Sequence, residues 1–169
     1  EVMLLYNKNL SVSPVTTHIP LSHVSRKINH HKIVEKVKII NAFYKKFFNK
    51  KPKFAILGLN PHNFSSSKKS EEKEIINKAV KSLTKSKIKI VGPIATDSSF
   101  MMLKKYKYDV IVGMYHDQVL TPFKALYNFS AINITLGLPF IRISPDHGVA
   151  KNITGKKIAN PDSLIESIK

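Results

Sequence analysis

Short apolar runs alternate along this chain with longer stretches in which apolar residues recur every three or four positions. Runs at 2–6, 11–17, 54–57, 88–91, 109–115, 131–136 and 140–144 have strand length and are rich in aliphatic and aromatic side chains. Between the second and third runs, Ile33, Val37, Ile40, Tyr44 and Phe47 draw an apolar stripe down one face of a long helix that Lys51-Pro52 stops. A second helix carries Ile75, Ile76, Ala79, Val80 and Leu83. It follows the polar loop at 65–69 and precedes a strand ended by Gly92-Pro93. A short helix is expected around 100–106, and no element is assigned between His116 and Ala131. Repeated alternation of strand and helix implies a largely parallel sheet covered by helices, and the two closely spaced late strands make it a mixed one.

Three histidines share one kind of position. His18, His62 and His116 each lie just past the carboxyl end of a predicted strand. Ligands of open α/β sheets bind in the crevice beyond those ends, so three imidazoles there can converge on one metal ion. The alternative is three ordinary loop histidines. Their repetition at equivalent places favours the ligand reading. His23, His30 and His31 fall among charged residues on or near the first helix and read as surface.

Composition narrows the chemistry. With no cysteine there is no disulfide or thiolate site, so any metal is held by histidine and oxygen ligands. A chain of 169 residues, 43% hydrophobic, fits one domain with a sizeable core. No run is long enough to cross a bilayer and no signal-peptide pattern is seen, so a cytoplasmic protein without membrane contact is expected. Glu1 opens directly into a strand-like run, as in a piece of something longer. The net charge of +17 invites a nucleic-acid reading. Its distribution argues otherwise, because Lys36, Lys38, Lys45, Lys46, Lys78, Lys81, Lys85 and Lys87 interleave with core-facing positions as on solvated helix faces. No nucleic-acid-binding motif accompanies them. The excess charge suits an anionic substrate instead. The glycines cluster at or beside the strand-end turns, but neither GxGxxG nor a P-loop occurs.

Thr16-Thr17-His18-Ile19-Pro20-Leu21, Gly58-Leu59-Asn60-Pro61-His62, Gly92-Pro93 with Thr96-Asp97, Met114-Tyr115-His116-Asp117-Gln118, Asn133 through Arg142, and Asp146-His147-Gly148 occur in this order. Together they resemble the 4-hydroxythreonine-4-phosphate dehydrogenase family of pyridoxal phosphate biosynthesis. The resemblance covers the C-terminal portion of a two-domain dehydrogenase, here residues 1–169. It implies an α/β/α sandwich of the isocitrate/isopropylmalate dehydrogenase-like type, with a mixed, largely parallel sheet. It further implies NAD or NADP and a divalent metal (zinc, magnesium or cobalt) as cofactors, a small phosphorylated substrate, and a homodimer whose site lies between domains and across subunits.

By the same resemblance His18, His62 and His116 are the metal ligands. Lys124, Asn133 and Arg142 bind substrate, Asp97 and Lys124 are catalytic, and His147 and Gly148 contact the cofactor. Taken alone, Lys124 reads as one more solvated lysine. Arg142 stands out because Phe140-Ile141-Arg142-Ile143 looks like a buried strand, where an unpaired charge is costly. Asn133 lies similarly within Ile132-Asn133-Ile134. Asp97 is either a catalytic partner or the N-cap of the next short helix. Asp117 reads as an orienter of His116. The sequence departs from the family after His62, where Asn63 and the Ser/Lys tract replace a glycine-rich acidic loop.

Overall fold

The computed structural model describes residues 1–63, 70–146, 148 and 151–168. The polar loop at 65–69 lies outside the described residues. In chain order come β1 (Val2–Asn7), β2 (Leu10–Pro14), α1 (Val24–Lys27), α2 (His30–Phe48) and β3 (Phe54–Leu57). A π-helical turn, Glu72–Ile76, leads into α3 (Asn77–Lys85), then β4 (Ile90–Ile94), α4 (Thr96–Ser99), α5 (Leu103–Tyr106) and β5 (Val110–Gly113). The chain continues through α6 (His116–Tyr127), β6 (Ile132–Leu136), β7 (Arg142–Pro145) and α7 (Asp162–Ile168).

All seven predicted strands form one sheet in the order β4-β3-β5-β2-β1-β6-β7. The pairs β4–β3, β3–β5 and β5–β2 are parallel, whereas β2–β1, β1–β6 and β6–β7 are antiparallel. Two antiparallel steps restore direction, so β6 runs with the parallel group and β1 and β7 run against it. The expected α/β/α sandwich with a mixed, mostly parallel sheet is therefore the observed fold.

Alternation along each strand divides the core between the two faces. On one face Leu4, Phe54, Ile56, Val110 and Val112 pack against Ile33, Val37 and Ile40 of α2 and Ala79 and Leu83 of α3. On the other, Leu5, Val12, Leu57 and Ile111 meet Val119, Leu120 and Phe123 of α6. Ile33, Val37 and Ile40 are fully buried, each stabilising the fold by about 1.5–3 kcal/mol relative to exposure. The start of α2 is fixed by Asn29, whose side chain accepts from the Lys32 amide at 2.9 Å, and its end by Asn49 in the left-handed conformation.

Several expectations change. Phe47 leaves the helix stripe and is 48% exposed, its ring tilted against Phe43 with centroids 5.0 Å apart. Gly92-Pro93 lies inside β4 rather than ending it. Proline is tolerated there because β4 is an edge strand with no outer partner to receive its missing N–H. Gly92 is required by contact, since a Cβ on it would fall 2.6 Å from the Ile56 carbonyl oxygen. The strand before His116 stops at Gly113, and His116 opens α6, a helix absent from the pattern reading. Pro122 inside α6 obscures its helical spacing, although Val119, Phe123 and Tyr127 keep it. The run at 140–144 is not a buried strand: β7 begins only at Arg142, and Phe140 and Ile141 are 62% and 68% exposed. Burial therefore gives no argument for Arg142.

Candidate functional site

The parallel strands β4, β3, β5 and β2 all end at one edge of the sheet, and each passes there into a loop bearing one of the singled-out residues. His18 follows β2, His62 follows β3, Asp97 lies on α4 just after β4, and His116 begins α6 after β5. The topology puts the β2 and β5 ends side by side, and the His18 and His116 rings meet with centroids 5.4 Å apart. Asp117 Oδ1 lies 2.8 Å from His116 Nδ1, which fixes the ring and leaves Nε2 as the nitrogen for a ligand. The orienting role read for Asp117 agrees with this contact.

His62 stands apart from that pair. Its Nδ1 faces Asp97 Oδ2 at 3.2 Å, with both side chains largely exposed. Asp97 is not a helix N-cap, because Ala95 occupies that position and Asp97 Oδ1 accepts from the next amide, Ser98. His62 also has left-handed backbone angles, φ 53° and ψ 23°, sparsely populated for a residue with a Cβ. Among the described residues, no group of three or more His, Cys, Asp or Glu side chains is gathered closely enough to hold a metal ion. The chain brings two imidazoles together and sets the third on a carboxylate at the same edge.

Two residues that sequence reasoning gave no role organise these loops. Glu72 is buried, and its Oε1 accepts from the Leu59 and Asn60 amides at 3.0 and 2.8 Å while Oε2 accepts from Asn60 Nδ2 at 3.0 Å. Burial by itself would raise the Glu72 carboxyl, but the hydrogen bonds from Asn60 and Leu59 hold it below its ordinary value. Gln118, also buried, contacts three separate loops. Its signal was its place directly after His116-Asp117. Glu72 sits in Glu71-Glu72 at a helix start, a pattern shared with any solvated helix face.

The three residues read as substrate-binding lie on or over one face of the sheet. Ile132, Ile134 and Leu136 point to the α2 side, so Asn133 and Thr135 point to the α6 side, as do their partners Ser144 and Arg142. Arg142 is exposed at the edge that bears the histidines, and its Nη1 donates to Thr135 Oγ1 at 2.8 Å. Asn133 Oδ1 is buried without a hydrogen-bond partner among the described residues. Lys124 lies elsewhere. Eight residues along α6 from His116 is about 12 Å of helix, and its Nζ lies 3.2 Å from Asp146 Oδ1, beyond the far end of β7. The described chain thus separates Lys124 from Arg142 by the length of β7. A Cβ on Gly148 would meet no described atom within 4 Å, and His147 lies outside the described residues.

Comparison with known proteins gives the family and the fold. A 4-hydroxythreonine-4-phosphate dehydrogenase of Sulfurihydrogenibium is 49% identical over 170 residues, covering 99% of this chain and 52% of the relative. One from Aquifex aeolicus is 40% identical over 168 residues, with the same shares covered. The crystal structure of the Klebsiella pneumoniae enzyme of that name matches with a TM-score of 0.83 at 36% identity, over 99% of this chain and 51% of that one. A terephthalate 1,2-cis-dihydrodiol dehydrogenase from Burkholderia xenovorans, 21% identical, shares the fold with a TM-score of 0.77 over 99% of this chain and 53% of that one. The chain spans about half the length of the curated relatives it matches. Residues 1–169 match the family described as pyridoxal phosphate biosynthetic protein PdxA, and the chain belongs to that family.

Proposed function

We propose that this chain is the C-terminal portion of a two-domain, metal-dependent dehydrogenase. The reaction is the NAD-linked oxidation and decarboxylation of 4-phosphohydroxy-L-threonine to 3-amino-2-oxopropyl phosphate, carried out in the cytoplasm by a homodimer. The observation that carries this reading is the His18–His116 pair at the ends of β2 and β5, with Asp117 on His116, in a chain of the PdxA family. Two imidazoles side by side, one braced by a carboxylate, suit a divalent ion of the zinc or cobalt kind better than magnesium, which prefers oxygen ligands. His18 and His116 would hold it, with His62 of the same chain or of a second copy as the third ligand. When bound, such an ion supplies a Lewis acid that lowers the pKa of a substrate hydroxyl, and NAD supplies the hydride acceptor.

The remaining residues bind and orient the substrate. Arg142, exposed at the site edge, offers a forked cation to a phosphate or carboxylate. Asn133 Oδ1, lacking a partner on the same face, is an acceptor for a substrate donor such as an ammonium group. Asp97, beside His62, is placed to hold or move a proton at His62 Nδ1. For Lys124 to share this role, the far end of β7 must be brought to the substrate by the other domain or a second subunit. His147 and Gly148 are assigned to the dinucleotide.

The test is NADH formation by the full polypeptide with 4-phosphohydroxy-L-threonine and a divalent metal, followed by chelation. Metal-dependent absorbance at the nicotinamide band is the expected result. Turnover of a dihydrodiol carboxylate in place of the phosphorylated substrate would move the protein to a related dehydrogenase. Turnover unaffected by chelation would remove the metal.

A further inference from the structure

Gln118 reaches three of the strand-end loops at once. Its Oε1 accepts from the Met114 amide at 2.6 Å, in the turn between β5 and His116. Its Nε2 donates to the Gly58 carbonyl at 2.7 Å, at the root of the His62 loop, and to Thr96 Oγ1 at 2.9 Å, next to Asp97. Both amide hydrogens and the amide oxygen are used, and the side chain is only 6% exposed. Thr16, at the root of the His18 loop, joins the same assembly, because its Oγ1 donates to the Met114 carbonyl at 2.8 Å. The backbone leaves room for the amide. A Cβ on Gly113 would fall 2.9 Å from Gln118 Oε1 and 2.5 Å from Val119 Cγ1.

We propose that Gln118 is a positioning residue that sets His62, Asp97 and His116 in a fixed mutual register, acting through the loop backbones and touching no substrate atom. The inference rests on the dehydrogenase reading above. Its physical basis is that backbone hydrogen bonds beyond the strand ends join the outgoing segments only in pairs, Val15 and Thr16 to Gly113 and Met114 and Gly58 to Ile94, whereas Gln118 ties one pair to the other. One amide joined to three loops couples their movement. The His62 and Asp97 segments are already joined by Gly58 to Ile94 and Asn63 to Pro93, and Gln118 links that pair to the turn before His116. A metal ligand displaced by an ångström holds its ion poorly, and misplacement on that scale costs about a hundredfold in rate.

The test uses the full polypeptide with two substitutions. Gln118→Met keeps length and volume but removes all three hydrogen bonds, and Thr96→Val removes one acceptor at a half-buried position without changing shape. Turnover, KM for NAD and the dissociation constant for cobalt alone are measured, with thermal unfolding as the folding control. Gln118→Met is expected to lower kcat about a hundredfold. It should weaken cobalt binding roughly 10- to 100-fold, as loss of a supporting contact does elsewhere, with KM for NAD unchanged. Thr96→Val should shift kcat and cobalt affinity in the same direction by less. Unchanged kcat and cobalt affinity in a folded Gln118→Met protein, or a loss confined to KM, overturns the proposal. Should Gln118→Met not fold, unchanged kcat and cobalt affinity in Thr96→Val overturns it. A native protein that binds no cobalt and forms no NADH instead overturns the dehydrogenase reading itself.

Discussion

The carboxyl edge of β4, β3, β5 and β2 and the flank formed by β6 and β7 belong to one sheet but are finished very differently. At the edge, the loops are tied by buried groups: Glu72 on Leu59 and Asn60, Gln118 on three loops, and Thr16 on Met114. On the flank, Phe140 and Ile141 are mostly exposed, Arg142 bonds to Thr135, and Asn133 Oδ1 is buried with no partner among the described residues. Asn63 Oδ1, beside His62 at the edge, is likewise buried without a partner among the described residues, so the contrast lies in the ties between loops and in the exposure of Phe140 and Ile141. The edge is tied together within the chain, while the flank leaves apolar side chains exposed. Under the proposed function, metal chemistry falls on the more heavily tied side and substrate capture on the more exposed one.

The comparison breaks most sharply at His116. His116→Ala removes one of the two paired imidazoles and is expected to abolish turnover and lower bound metal, measured by elemental analysis of the full protein. Full activity in that variant would end the division between the two regions, because no chemistry would then depend on the edge.

On the flank the expected effect is smaller and of another kind. Arg142→Ala removes a charge-assisted contact of about 1.5–3 kcal/mol, so KM for the phosphorylated substrate should rise about tenfold or more. Metal content and melting temperature should stay at native values, because the guanidinium bonds only to Thr135 among the described residues. Metal loss equal to that of His116→Ala would show that the flank supports the edge structurally.

How far the sequence could be read follows the same division. The strand runs were legible because burial on both faces leaves continuous apolar segments such as Phe54 to Leu57. The histidine placement was legible because strand ends mark the crevice. Strand order was not, since nothing local specifies that β5 inserts between β3 and β2. Nor was the part played by Glu72 and Gln118, whose partners, Met114 apart, are distant in sequence and mostly backbone groups, which carry no side-chain signature. Arg142 was singled out for burial it does not have. The apolar residues around it resemble a core strand, but in this chain they face outward.

A finer test within the edge is Asp117→Asn. The amide can still contact His116 Nδ1 at the observed 2.8 Å but no longer supplies a negative charge. Metal affinity is expected to fall roughly tenfold, near the lower end for such supporting groups, because the Asp117 side chain is 79% exposed and screened by water. Calorimetric titration with cobalt measures it. An unchanged affinity would show that the fold alone orients the ring.

The smallest effect concerns Glu72 and is read in stability. Its folded carboxyl titrates below the ordinary value of 4.5, because hydrogen bonds from Asn60 and Leu59 outweigh the burial that pushes it up. In the unfolded chain those bonds are gone and the ordinary value returns. The native state therefore releases this proton more readily, and the sign follows: the stabilisation is complete above pH 4.5 and is lost as pH falls through the lowered folded value. Glu72→Gln lacks the charge at every pH, so its denaturation midpoint should lie below that of the native protein at neutral pH, and the gap should close on acidification. Urea unfolding across the acid range gives both curves. Parallel curves with a constant gap would mean that Glu72 contributes shape rather than charge, and the loop carrying His62 would then owe its order to Gln118 and packing.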